Sequence, residues 1–168
     1  MALKQQGDDE NADVPEHLNR WSGLYMRQDD RIVEALPQDI VVAKGYPTVS
    51  SKGSAVQGRR ITVMCRKDTY HVGEEVRVIH VLEALEPGQE IFIMGPKPVC
   101  GEYVDGRAMT ADICGETQAY DGRVLKSPSV DYNYDITTYT FDAPGRHKIQ
   151  WKMGELCSNT LELEVVIP

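Results

Sequence analysis

No apolar run in the chain approaches the roughly 18 residues that a membrane-spanning helix requires. The opening Met1-Ala2-Leu3-Lys4-Gln5-Gln6 also lacks the apolar stretch of a secretory signal, which leaves a cytosolic home and a trimmed extracellular piece both open. Basic residues are the minority: 18 Lys and Arg stand against 26 Asp and Glu, for a net charge of -8. That balance argues against non-specific nucleic-acid binding, which needs clustered cations facing phosphates. Sustained helical periodicity is missing too, and without crossover helices a sandwich or barrel is favoured over an α/β fold.

The motifs of common chemistries are absent as well. No Gly-x-Ser-x-Gly elbow frames Ser127, Ser129 or Ser158, and His17, His71, His80 and His147 are the only candidate bases. His71 beside a turn reads as a surface group, and His80 inside an apolar run as a core or sheet-face histidine. No Cys-x-x-Cys pair or His-Glu-x-x-His helix offers a zinc site, and neither glycine-rich phosphate loop occurs. Asp131, Asn133 and Asp135 place oxygens at alternating positions, with Asp112 or Asp121 as distant helpers. The Gly and Glu of a calcium loop are nevertheless missing, and a solvated loop is the better reading. No enzyme activity, metal or cofactor is therefore expected.

What is present is a series of short strand-like runs separated by turn residues. The clearest are residues 60–65, 76–83, 90–94, 107–114, 120–125, 135–141, 146–153 and 160–167. Val76-Arg77-Val78-Ile79-His80-Val81-Leu82-Glu83 is apolar on both parities through its middle, as a central strand should be. In Leu161-Glu162-Leu163-Glu164-Val165 the alternation is clean, with one face wet and one dry. Further upstream, residues 29–36 read as a short helical turn stopped by Pro37, and residues 40–43 as a strand. Residues 1–16 carry five acidic side chains against Lys4 and almost no apolar groups, so residues 1–27 read as a flexible lead and 28–168 as one domain. Trp21 and Tyr25 would tie that lead to the core.

Thr138-Tyr139-Thr140-Phe141 enters Asp142-Ala143-Pro144-Gly145, His147-Lys148-Ile149-Gln150-Trp151 leaves it, and Ser158-Asn159-Thr160 approaches the last strand. This resembles the late strands of immunoglobulin-like and fibronectin-like modules over residues 70–168. The resemblance, with the strand count, implies an all-β antiparallel sandwich of immunoglobulin-like or related type behind an irregular N-terminal lead.

Four cysteines permit three pairings. The preferred one joins Cys100 to Cys114 across a short polar return and Cys65, ending one strand, to Cys157, opening another; four free thiols are the alternative. Tyrosine is the enriched aromatic, with eight residues against two Phe and two Trp. Tyr103, Tyr132, Asn133, Tyr134 and Asp135 form the candidate ligand-binding set, on loops spanning 97–106 and 127–135, with both rings of 132–134 on one parity if extended. The expected function is a binding module, extracellular or at a cell surface, that recognises a protein or glycan. Two others compete: an assembly protein that self-associates through its N-terminal arm and a sheet edge, and a protease inhibitor that inserts Gly95-Pro96-Lys97-Pro98-Val99.

Overall fold

Val76–Ala84, which carries apolar residues on both parities, organises the molecule: a computed structural model buries this strand on both of its faces. The structure describes residues 15–19, 21, 23–93, 96–111 and 123–168. In chain order the first pair is β1 (Tyr25–Gln28) and β2 (Arg31–Glu34), an antiparallel hairpin. Asp29 and Asp30 form its two-residue turn, both at positive φ. That backbone is the primed turn that matches strand twist, and aspartate tolerates it better than most residues. The helical turn expected over 29–36 is therefore replaced by a hairpin.

Helix α1 (Pro37–Lys44) follows, so Pro37 starts a helix instead of stopping one, and residues 40–43 are helical where a strand was expected. Proline has no N–H to lose at the first helical position, and its fixed φ suits that place. Asp39 and Ala43, four apart, turn to the protein while Val41 faces solvent.

The remaining strands are β3 (Arg59–Met64), β4 (Thr69–His71), β5 (Val76–Ala84), β6 (Glu90–Ile93), β7 (Glu102–Val104), β8 (Arg107–Ala108), β9 (Arg123–Lys126), β10 (Ser129–Asp131), β11 (Thr137–Tyr139), β12 (Gly145–Met153), β13 (Leu156–Cys157) and β14 (Leu161–Val166). In one sheet β5 lies between β3 on one side and β10 and β11 on the other, all antiparallel. A second sheet runs β4-β14-β12-β7-β8, with β13 also on β12. Within it only β4 and β14 are parallel. Strands β6 and β9 form a separate ribbon.

The two larger sheets share one core. Ile61 and Val63 of β3 and Val76, Val78, Leu82 and Ala84 of β5 meet Tyr70, Val104, Ile149, Trp151, Leu163 and Val165 of the other sheet. Odd positions of β5 face the other way. Ile79 and Val81 join Met64, Val130 and Tyr132 beneath Leu18, Leu24, Ala35, Ala43 and Tyr46. Residues 17–27, read as part of a flexible lead, thus bring Leu18 and Leu24 into a second core, and the boundary at 27/28 falls inside β1. Residues 1–14 lie outside the described residues.

Cys65 and Cys157 are free thiols, which corrects their expected pairing. A Cβ on Gly53 would meet the carbonyls of both Ile61 and Cys157, while the Asn159 amide bonds Val63. Cys157 therefore lies level with Ile61, four residues from Cys65. At strand rise that is about 13 Å, beyond the roughly 7 Å Cα limit of a disulfide. Cys65 Sγ instead donates to the Lys67 carbonyl at 3.1 Å, and burial pushes its thiol pKa up. Non-reducing peptide mass spectrometry should recover the Cys65 and Cys157 peptides unlinked; a linked pair would refute this register. The Cys100 to Cys114 pairing falls on Cys114, outside the described residues.

Candidate functional site

The tyrosine set does not form an exposed patch. Tyr132 is 2% exposed, Asn133 3% and Tyr134 6%. The two rings also enter different cores, Tyr132 beneath the N-terminal layer and Tyr134 between the sheets. Parity fails here because the chain is not extended. Asp131 Oδ1 accepts the Asn133 N–H at 2.8 Å, and the Tyr134 N–H bonds the Tyr132 carbonyl at 2.8 Å, which turns Tyr134 to the opposite face. Burial pushes the Tyr134 hydroxyl up, and the nearby Asp131 adds to the shift. Asp135 is half-buried, and burial likewise raises its carboxyl.

The neighbouring loop is fastened as well. Lys97 receives an N–H from Asp135 and gives one to Asn133 through its backbone. Its ammonium pairs with buried Asp131 and lies 4.4 Å from the centre of the Tyr134 ring. Pro96 and Val99 on either side are buried. An inhibitory loop needs a side chain free to enter a cleft, and Lys97 is committed within its own fold. The same contact gives the Asp131 carboxylate an ammonium partner from within the fold. Among the described residues no group of three or more metal-binding side chains comes together.

Of the expected set, Tyr103 lies on the outer parity of the second sheet, opposite Gln150. It is half-buried on β7, and its ring carries the Lys152 ammonium 5.1 Å from its centre. That parity is the outer face of the β4-β14-β12-β7-β8 sheet. Alternation along β12 sends Ile149 and Trp151 inward and Arg146, Lys148 and Lys152 outward. Along β14 it sends Leu163 and Val165 inward and Glu162 and Glu164 outward. Register then sets Arg146 opposite Glu164, Lys148 opposite Glu162 and Gln150 opposite Tyr103. A basic row lies beside an acidic row. Lys148 and Glu162 are 3.9 Å apart yet 65% and 75% exposed, so their ion pair contributes little to stability and leaves both charges available. An open concavity of about 470 Å³ on this side is lined by Asp68, Thr69, Arg146, Lys148, Glu162 and Glu164, with His147 at its wall. His147 is held by Asp105 at 2.6 Å and stacks on Phe141. Hydrogen bonds from His147 and the Lys148 N–H outweigh partial burial and keep the Asp105 carboxyl below its usual value.

Two buried polar clusters sit on opposite faces of β5; His80 is the core histidine expected of it, while its carboxylate partner and the cluster around Glu83 were not foreseen from sequence. His80, at an even position, pairs with Glu102 of β7, which also accepts hydrogen bonds from Thr137 Oγ1 at 2.5 Å and from the Tyr139 hydroxyl. Glu83, at an odd position, receives the Tyr46 hydroxyl at 2.5 Å, Arg60 Nε at 2.8 Å and faces His17 Nε2 at 2.9 Å. The signal available was the sequence Val-Ile-His-Val-Leu-Glu itself, because a histidine and a glutamate inside a doubly buried strand must each find partners. No family model, no curated protein and no solved structure matches the chain.

Proposed function

We propose that this chain is a binding module that recognises another protein through the outer face of its β4-β14-β12-β7-β8 sheet, by recognition and not by catalysis. The observation that carries the reading is an asymmetry. The outer face of the β3-β5-β10 sheet lies under the N-terminal layer, whereas the second sheet leaves Tyr103, Arg146, Lys148, Lys152, Glu162 and Glu164 outward with no described element above them. Parallel rows of opposite sign on a stiff sheet suit a polypeptide surface bearing both signs better than a neutral sugar. A rigid scaffold of this kind keeps those charges in fixed register.

The same reading takes the two larger sheets as halves of an immunoglobulin-like sandwich. Their shared core supports it, as does the last strand running parallel to β4 and antiparallel to β12. Assembly through a sheet edge is less favoured, because β4 and β11 are three residues long and β8 only two, and on the six-residue margin of β3 the Asn159 side chain already bonds Val63.

The test is a protein array and a glycan array probed in parallel with the intact chain and with a double charge reversal, Arg146→Glu with Lys148→Glu. Protein binders should weaken by roughly tenfold or more in the variant. Binders unaffected by the reversal, or binding to glycans alone, would refute the proposal.

A further inference from the structure

The N-terminal layer is joined to the rest of the fold in an unusual way. Its hairpin pairs only β1 with β2, and its turns and helix bond to themselves. Among the described residues no backbone-to-backbone hydrogen bond connects residues 15–48 to either large sheet. Attachment rests on apolar side chains in the second core and on a few polar ties. Among the described residues those ties include His17 and Tyr46 on Glu83, Asp39 on Arg77 at 2.9 Å, Arg27 reaching the Pro96 carbonyl at 3.3 Å, and Lys52 Nζ donating to the Pro47 carbonyl at 3.3 Å. Glu83 gathers two of them, with its carboxylate almost wholly removed from solvent.

We propose that residues 17–19 and 23–48 form a releasable cover over the odd-numbered face of β5, latched by Glu83, which opens as a unit while the core shared by the two sheets stays folded. Local opening follows contiguous units with few bonds to their surroundings, and this layer is such a unit. Its release uncovers Met64, Ile79, Val81, Val130 and Tyr132, an apolar sheet face otherwise sealed within the chain. The even-numbered side keeps its own packing, since Val76, Val78, Leu82 and Ala84 belong to a different cluster.

The groups facing Glu83 are His17 from the first turn, Tyr46 from the 46–48 turn and Arg60 from β3, with Tyr132 and Lys52 close enough to feel its charge. Burial alone would raise the Glu83 carboxyl, but hydrogen bonds from Tyr46, His17 and Arg60 outweigh it and hold the pKa below the usual value. The latch is therefore fully set above the ordinary carboxylate range and fails as pH drops through the lowered value. Acid does not by itself distinguish the cover from the rest, because Glu102 in the shared core is lowered in the same direction. A variant at Glu83 does.

Hydrogen exchange of the full chain at neutral pH, wild type against Glu83→Gln, reads the two cores separately. Removing the charge should lower amide protection in 24–46 by roughly tenfold to a hundredfold, the range for hydrogen bonds to a charged group. Peptides covering β12 and β14 should keep wild-type protection. If Glu83→Gln does not fold, His17→Ala combined with Tyr46→Phe removes the two contacts on the cover side and leaves Glu83 with Arg60. Loss of protection in both regions together, or no change in 24–46, would overturn the proposal.

Discussion

Replacing Glu102 by alanine should destabilise the fold by about 3–5 kcal/mol, the range for breaking a buried charged pair from one side. The carboxylate is fully buried, and its loss leaves three groups without their partner: the buried imidazole of His80 and the half-buried hydroxyls of Thr137 and Tyr139. His80 is already short of partners, since its Nδ1 has none among the described residues. Glu102→Gln keeps the shape and one acceptor, and should lose less. Urea denaturation of the three proteins measures this, and a loss below about 1 kcal/mol for alanine would show that the cluster is not a tie between the sheets. A pH dependence accompanies it. Burial pushes the Glu102 carboxyl up, but hydrogen bonds from His80, Thr137 and Tyr139, with the His80 charge, hold it below its usual value. Its contribution is complete above the unfolded pKa of about 4.3 and disappears as pH falls through the lower folded one. The wild type should thus lose stability on acidification more steeply than Glu102→Gln.

Trp151→Ala should have a comparable effect, about 3–5 kcal/mol. The ring is 1% exposed and is the largest fully buried side chain among those described. It meets His80 edge-on with centroids 5.0 Å apart, meets Tyr134 at 4.9 Å, and donates its indole N–H to the Cys100 carbonyl at 3.0 Å. Phenylalanine at this position fills part of the volume without the donor and should recover part of the loss. Because Trp151 and Glu102 both contact His80, the double variant should fall short of the sum of the two. Simple additivity in the denaturation midpoints would argue that ring and carboxylate act independently.

How much of this was legible depends on how local the cause is. β3, β5, β12 and β14 follow from apolar rhythm and are found within a residue or two of their expected bounds. β5 was also readable as central, because Val78, Ile79, Val81 and Leu82 fill both parities. The errors cluster where a short segment takes its conformation from a neighbour. Val41 and Val42 favour a strand, but Pro37 and the Asp39 contact with Arg77 hold them in a helix. β4, β7, β10 and β13 are two or three residues long, too short for a period to declare itself. At the candidate site the tyrosines were visible and their direction was not. One carboxylate bonding the main chain two residues on sends Tyr132 and Tyr134 to opposite faces, and no spacing rule encodes that turn. The outer face of the second sheet was half visible, in the alternation of Glu162 and Glu164. Its basic neighbours became a row only when β12 paired with β14.

The Asn159 carboxamide has a further consequence for how the chain behaves in company. Its Oδ1 takes the Val63 N–H at 2.8 Å and its Nδ2 gives to the Val63 carbonyl at 3.0 Å, so one side chain does for that residue what a neighbouring strand would do. With Gly53 pressed against Ile61 a little further along, the outer margin of β3 has little template left to offer an incoming polypeptide. The longest margin of that sheet is thereby closed to strand exchange and fibril growth, hazards that a bare six-residue edge would otherwise invite.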